Sequence, residues 1–151
     1  MYMSDTISDL VTALVAAKKN FNMLIKRGFN PHFKNRFADL SDINEATQKA
    51  LLEQGLVVCQ SIGRAEGGVL VSCRLLHTSG QFIDSGEAFF PSPRFDAQGC
   101  GSAATYGRRY QLSALLCLSA EHDDDAETTS APTSGASRAK QVKTKTTDDF
   151  L

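Results

Sequence analysis

The chain has 151 residues, 42% hydrophobic and 22% charged, which fits one domain with a real core and excludes two of ordinary size. No apolar run approaches the roughly 20 residues that cross a bilayer, and the N-terminus lacks the basic and apolar blocks of a secretion signal. The expectation is a cytoplasmic protein without membrane contact. The net charge of −1 hides an asymmetry: residues 1–120 carry 12 Lys/Arg against 10 Asp/Glu, and residues 121–151 carry 4 against 7. A mildly basic body with an acidic tail is weak support for nucleic-acid binding, so clustering of cations must carry that argument.

Ser4 or Thr6 is placed to cap a first helix in which Ile7, Leu10, Val11, Leu14, Val15, Phe21, Leu24 and Ile25 keep a helical apolar spacing, and Gly28 ends it. Residues Phe29 to Phe37 then read as an irregular connector, because Pro31 removes a donor and disfavours helix at Asn30. Ser41 or Asp42 caps a second helix with the stripe Ile43, Ala46, Ala50 and Leu51, stopped by Gly55. Three strand-like runs follow, Leu56–Ile62, Val69–His77 and Gln81–Phe90, with turns at Gly63–Gly68 and Thr78-Ser79-Gly80. Pro91 and Pro93 close the sheet.

Gly99–Leu118 combines small residues, aromatics and an arginine pair at helical spacing. With Ser102 as N-cap, Ala103, Gly107, Tyr110 and Ala114 share a narrow face suited to close packing on a sheet. Leu112 and Leu116 lie between the directions of Arg108 and Arg109, so that side is a seam with packing and cations together. After Leu118 the composition turns polar, and residues 126–147 are expected to be disordered. The division predicted is 1–121 as the binding domain and 122–151 as a flexible tail. Cys59, Cys73, Cys100 and Cys117 are scattered singly and read as small buried hydrophobes, with no zinc or redox spacing.

Tyr106, Arg108, Arg109 and Tyr110 suit single-stranded nucleic acid, since arginine meets phosphate with charge and directed N–H groups while flat groups stack on unpaired bases. For the tyrosines a core position is preferred. For at least one arginine binding is preferred, because two adjacent cations on a half-buried helix are costly without an anionic partner; Asp84, Glu87 and Asp96 are the intramolecular alternatives. Lys34 and Arg36, interleaved with Phe33 and Phe37, read equally well as a basic rim and as solvated charges, and Phe37 reads as core. Gly99 and Gly101 lack the rest of a phosphate loop, Asp123–Asp125 reads as a solvated boundary and not a metal site, and His32, His77 and His122 are far apart. No catalytic centre, cofactor or metal is expected.

Three segments resemble the ERF (essential recombination function) superfamily of phage single-strand annealing proteins: Asn30–Leu40, the helix-to-strand passage Gln54–Gln60, and Gly101–Leu112 followed by Asp123–Asp125. They occur in the family's order. Gly107 stands where alanine is common, and the aspartate run lacks the glycine that often follows it. The resemblance implies an α+β fold, with N-terminal helices and a three-stranded antiparallel sheet carrying a packed helix. It also implies ATP-independent annealing of single-stranded DNA in a basic groove of a ring or filament of identical subunits, in a bacterial host. Lys34, Arg36, Arg108 and Arg109, with Tyr106, are then the DNA-binding residues, and Leu112 and Leu116 meet a neighbouring subunit or the N-terminal helices. Asp148-Asp149-Phe150-Leu151 is similar to the acidic, aromatic tip of bacterial single-strand-binding proteins; docking on a host partner, occlusion of the basic groove and mere solubility are its three readings. A passive strand-protecting protein and a structural scaffold are the alternative functions.

Overall fold

The structure, a computed structural model, describes residues 1–31, 34–94 and 96–119. The acidic run, the tail and its terminal tip lie outside the described residues, as do His32 and Phe33.

The fold is α+β, with antiparallel sheets. Strand β1 (Tyr2–Met3) is followed by helix α1 (Ser8–Lys18), the hairpin β2 (Gly28–Asn30) and β3 (Asn35–Phe37), and helix α2 (Leu40–Glu53). Then come β4 (Leu56–Ala65), β5 (Gly68–His77), β6 (Phe82–Asp84), β7 (Ala88–Pro91) and helix α3 (Ala97–Leu115). The main sheet runs β1-β6-β5-β4, with β7 also on β5, so β5 is central and β4 is an edge.

Helix α1 is shorter than its apolar spacing predicts. Neither Ser4 nor Thr6 is its cap, since Ile7 holds that position without a side-chain bond; the Ser4 hydroxyl accepts from the Phe82 N–H at 3.1 Å, fastening β1 to β6. The orphan N–H of Leu10 is instead satisfied from far along the chain by the Gln81 side-chain oxygen, at 3.0 Å. The helix ends at Lys18, and the Asn22 N–H bonds the Ala46 carbonyl on α2. Phe21 and Leu24 still pack on the core, but from non-helical chain.

Helix α2 begins one residue after Asp39, which forms a reciprocal capping box with Asp42. Here the sequence points to the right carboxylate in the wrong role: Asp42 is the third helical residue, and Asp39 is the cap. The helix stops at Gly55, whose φ of +68° is the left-handed conformation that needs no Cβ. Strands β4 and β5 pair over all ten residues, from Leu56 opposite His77 to Ala65 opposite Gly68, so the turn between them is only Glu66-Gly67.

The third predicted strand is broken. Phe82–Asp84 pairs with Arg74–Leu76 and Ala88–Pro91 with Gly68–Val71. Between them Ser85 bridges to Cys73, its hydroxyl accepting from the Cys73 N–H and its own N–H donating to the Cys73 carbonyl. Asp84, buried beside this break, accepts from the Gly86 N–H at 2.7 Å and from Arg74 Nε at 2.7 Å. Burial pushes its carboxyl up, but these donors outweigh burial and hold it below the usual carboxylate range. A carboxyl depressed in the folded state stabilises the fold above its unfolded value of about 3.9 and loses that contribution as pH falls through the folded value. Thermal unfolding followed from neutral pH to below about pH 4 should show a falling Tm, and Asp84→Asn should flatten that acid limb.

All three helices cover one face of the main sheet. Leu10, Ala13, Ala17, Ile43, Leu51, Leu56, Cys73, Leu75, Leu112 and Leu116 form one core cluster. Val69, Val71, Ala103 and Ala104 form a second under the first half of α3. Of the cysteines only Cys73 fits the sequence reading fully; Cys59 and Cys117 are exposed. Burial pushes the Cys73 thiol up to about 11. A thiol reagent at about pH 8 should modify Cys59 and Cys117 in the folded protein, and Cys73 only after denaturation.

Candidate nucleic-acid interface

Helix α3 starts earlier than Ser102. Asp96 is its N-cap, its carboxylate accepting from the Gly99 N–H at 2.6 Å, and the helix runs through both glycines. The packed stripe is Ala103, Ala104, Gly107, Gln111 and Leu112. Gly107 is there because the sheet is close: a Cβ on it would lie 2.6 Å from the Phe90 ring and 2.7 Å from a Val71 methyl. The side chain of Gln111 is anchored by donating to the Val71 carbonyl at 3.0 Å.

This stripe turns Tyr106, Tyr110 and Ala114 outward, contrary to the sequence reading. Tyr106 is 49% and Tyr110 47% exposed, and their rings meet at a tilt, with centroids 4.3 Å and planes 32° apart. The neighbouring Tyr110 hydroxyl, and then burial, hold the Tyr106 phenol above its ordinary pKa, so it is neutral at pH 7. Leu112 and Leu116 are 2% and 1% exposed. They fill the layer between α3, the sheet and the N-terminal helices and are not accessible to a neighbouring subunit.

The two arginines have no carboxylate within 4 Å among the described residues. The proposed intramolecular partners are engaged elsewhere or lie apart: Asp84 pairs with Arg74, and Asp96 lies 4.0 Å from Arg94. Arg108 is held by Gln60 on β4. Arg108 Nε donates to Gln60 Oε1 at 3.1 Å, and Gln60 Nε2 donates to the Arg108 carbonyl at 2.7 Å. This two-point clamp fixes the helix and the guanidinium stem while leaving the terminal N–H groups for another acceptor. Sequence reasoning missed Gln60. Its signal was a polar residue in register with Leu56 and Val58 on the core-facing side of a strand.

Arg109 is held by aromatic faces. Its Cζ lies 4.5 Å from the Phe37 centroid, 5.1 Å from Tyr110 and 5.3 Å from Tyr106. One terminal N–H reaches the Ala38 carbonyl at 3.4 Å. Such packing fixes the plane of a guanidinium without neutralising it. Phe37 is therefore half-buried as a shelf for a cation and not as core.

The remaining predicted cations come from the β2–β3 hairpin, which replaces the irregular connector. Lys34 sits at its tip with φ of 52°, and exposed Arg36 is paired across the ladder with exposed Phe29. Alternation along β3 puts Arg36 on the opposite face from Phe37. The structure thus joins Arg109, Phe37, Tyr106 and Tyr110 in one cluster, and leaves Lys34 and Arg36 on the tip and far face of the same hairpin. Arg108 opens into a separate 230 Å³ cavity between α2 and β4, which Leu52 and Val58 also line.

The sequence model of the ERF superfamily matches residues 10–149. The chain belongs to that superfamily. No curated protein and no solved structure matches it. ERF membership supports a part in phage-type single-strand annealing and recombination, and with it the theme of single-stranded DNA binding. The match begins two residues into α1 and takes in every later element through α3, so the arginine pair, the Gln60 clamp and the aromatic shelf all lie within the ERF unit. Among the described residues, no helix is long and apolar enough to cross a membrane.

Proposed function

We propose that this chain anneals complementary single strands of DNA without ATP or catalytic chemistry, as a ring or filament of identical subunits in a bacterial host. The observation that carries the reading is the state of Arg108 and Arg109. Both are charged and partly exposed, held by uncharged partners, and without a carboxylate partner among the described residues. Cations held in this way are ready for phosphate. Lys34 and Arg36 extend the positive surface along the hairpin, and base edges of the bound strand stay available for pairing. The order β4, β5, broken third strand, α3 is consistent with the β-β-β-α core of annealing proteins. The edge strand β4, ten residues long and without an outer strand partner among the described residues, offers backbone groups for assembly. Residues 1–121 form the annealing domain in this proposal, and Asp148-Asp149-Phe150-Leu151 is a tip for a host single-strand-binding protein or its partners.

The test is the rate at which two complementary oligonucleotides pair with and without the protein, in the absence of nucleotide, alongside particle mass with and without single-stranded DNA. Acceleration together with a mass of many subunits supports the proposal. Binding without acceleration leaves a passive strand-protecting protein. Absence of binding at low salt leaves a scaffold.

A further inference from the structure

A 640 Å³ groove runs between Phe37 and Asp39 on one side and the first three turns of α3 on the other. Its floor is low. Ala97, Gly101 and Thr105 follow at four-residue intervals, and a Cβ built on Gly101 would meet nothing within 4 Å. Its end is aromatic, formed by Phe37 and Tyr106 with the Arg109 guanidinium over both rings, and Tyr110 packs against Tyr106 at a tilt. Its rim carries a carboxylate. The Ser41 hydroxyl and the Asp42 N–H donate to Asp39 and hold it below the usual range, so it is ionised at neutral pH.

These features select between two parts of a DNA strand. A phosphate inside the groove would face the Asp39 carboxylate at close quarters. A neutral heterocycle has faces for the rings and guanidinium to stack on, and an amino or imino N–H that can donate to Asp39. The volume lies in the range of about 300–1,000 Å³ that encloses small ligands, which admits a base with its sugar and excludes a duplex.

We propose that this groove holds one unstacked nucleobase of the bound strand, with Phe37, Tyr106 and Arg109 as its stacking platform and the flanking phosphates outside. The inference rests on the nucleic-acid reading above and adds the part of the strand that is recognised. Stacking of this kind is tolerant of sequence, because every base has a π face. A base already paired cannot enter. The base in the groove is withheld while the bases on either side keep their edges free for pairing, and it must leave before its stretch of duplex can close, so the groove retains single strands and releases the annealed product.

The test compares two fluorescent strands of about 20 nucleotides with the full chain: one of thymidines, the other with the same phosphates but abasic sugars. The wild-type protein should bind the thymidine strand roughly tenfold tighter, the size of about one stacked base per subunit. Tyr106→Ala should bring that ratio near one. Gly101→Leu should also collapse the ratio by filling the groove, and it should fold at least as well, since leucine is the better helix former and a Cβ there meets nothing within 4 Å. Equal wild-type affinity for the two strands overturns the base groove and leaves phosphate binding by Arg108 and Arg109 in place. A ratio that persists in folded Gly101→Leu also overturns it. Failure of both strands to bind at low salt overturns the nucleic-acid reading itself.

Discussion

Replacing Arg108 and Arg109 together by alanine should weaken single-stranded DNA binding by about a hundredfold or more while leaving a folded protein. The magnitude follows from two charge-assisted contacts to phosphate, each about 1.5–3 kcal/mol when desolvated. The folding half of the expectation rests on the partners. Removing Arg108 releases Gln60, which sits at an edge strand within reach of water, and removing Arg109 uncovers three ring faces that are already partly exposed. Neither loss strands a buried carboxylate among the described residues. A second measurement is independent of affinity. For single strands each neutralised phosphate contributes about 0.7 to the slope of log K against log salt, so the double variant should lose about 1.4 per bound subunit. Fluorescence anisotropy between about 50 and 200 mM salt measures both quantities. Unchanged affinity and slope would remove these residues from the interface. The double Arg→Lys variant separates charge from shape: it should keep most of the salt slope and lose affinity, since lysine lacks the planar group that Phe37 and the tyrosines hold.

The parts of the fold that were legible in the sequence are those where local signals agree with tertiary ones. Helix α2 and the β4–β5 hairpin are bracketed by Gly55 and Gly67, so both elements are legible, although the turn predicted at Gly63–Gly68 shrinks to Glu66-Gly67 because the ladder continues through Ala65 opposite Gly68. Helix α1 was overextended because Phe21 and Leu24 preserve helical spacing although the chain there is not helical. They bury the same side chains from a different backbone, and spacing alone does not distinguish the two cases. The acceptor for its Leu10 N–H, the Gln81 side chain, lies 71 residues away and leaves no local trace. At the site, the arginine pair was visible as adjacent cations, but the orientation of the tyrosines was not. Moving the buried stripe from Tyr110 to Gln111 is a rotation of about 100°, decided by the closeness of Val71 and Phe90 to Gly107. A glutamine that donates to a strand carbonyl satisfies a buried position that hydrophobic patterning assigns to the aromatic ring.

Asp42→Ala should cost about 3 kcal/mol, lowering Tm by roughly 10 °C. The Asp42 side chain is 1% exposed. One oxygen accepts from the Asp39 N–H at 2.9 Å and the Arg27 N–H at 3.3 Å. The other is buried without a hydrogen-bond donor, with Arg27 Nη1 3.3 Å away as its counter-charge. Alanine would therefore leave two backbone N–H groups unpaired, dismantle half of the capping box and remove a buried anion from beside a guanidinium. Asp42→Asn keeps the volume and one acceptor and should cost about half as much. Glu45→Ala, which removes only the exposed partner of Arg27, should leave Tm essentially unchanged. The loss should also reach the interface, because Asp42 joins the start of α2 to the chain entering the β2–β3 hairpin, and that hairpin places Phe37 under Arg109. At a temperature where Asp42→Asn is fully folded, its strand affinity should fall while its salt slope stays at the wild-type value, since the cations remain and only their positioning loosens. A slope that falls with affinity would mean that Asp42 acts on the number of phosphates held and not on the placement of the aromatic shelf.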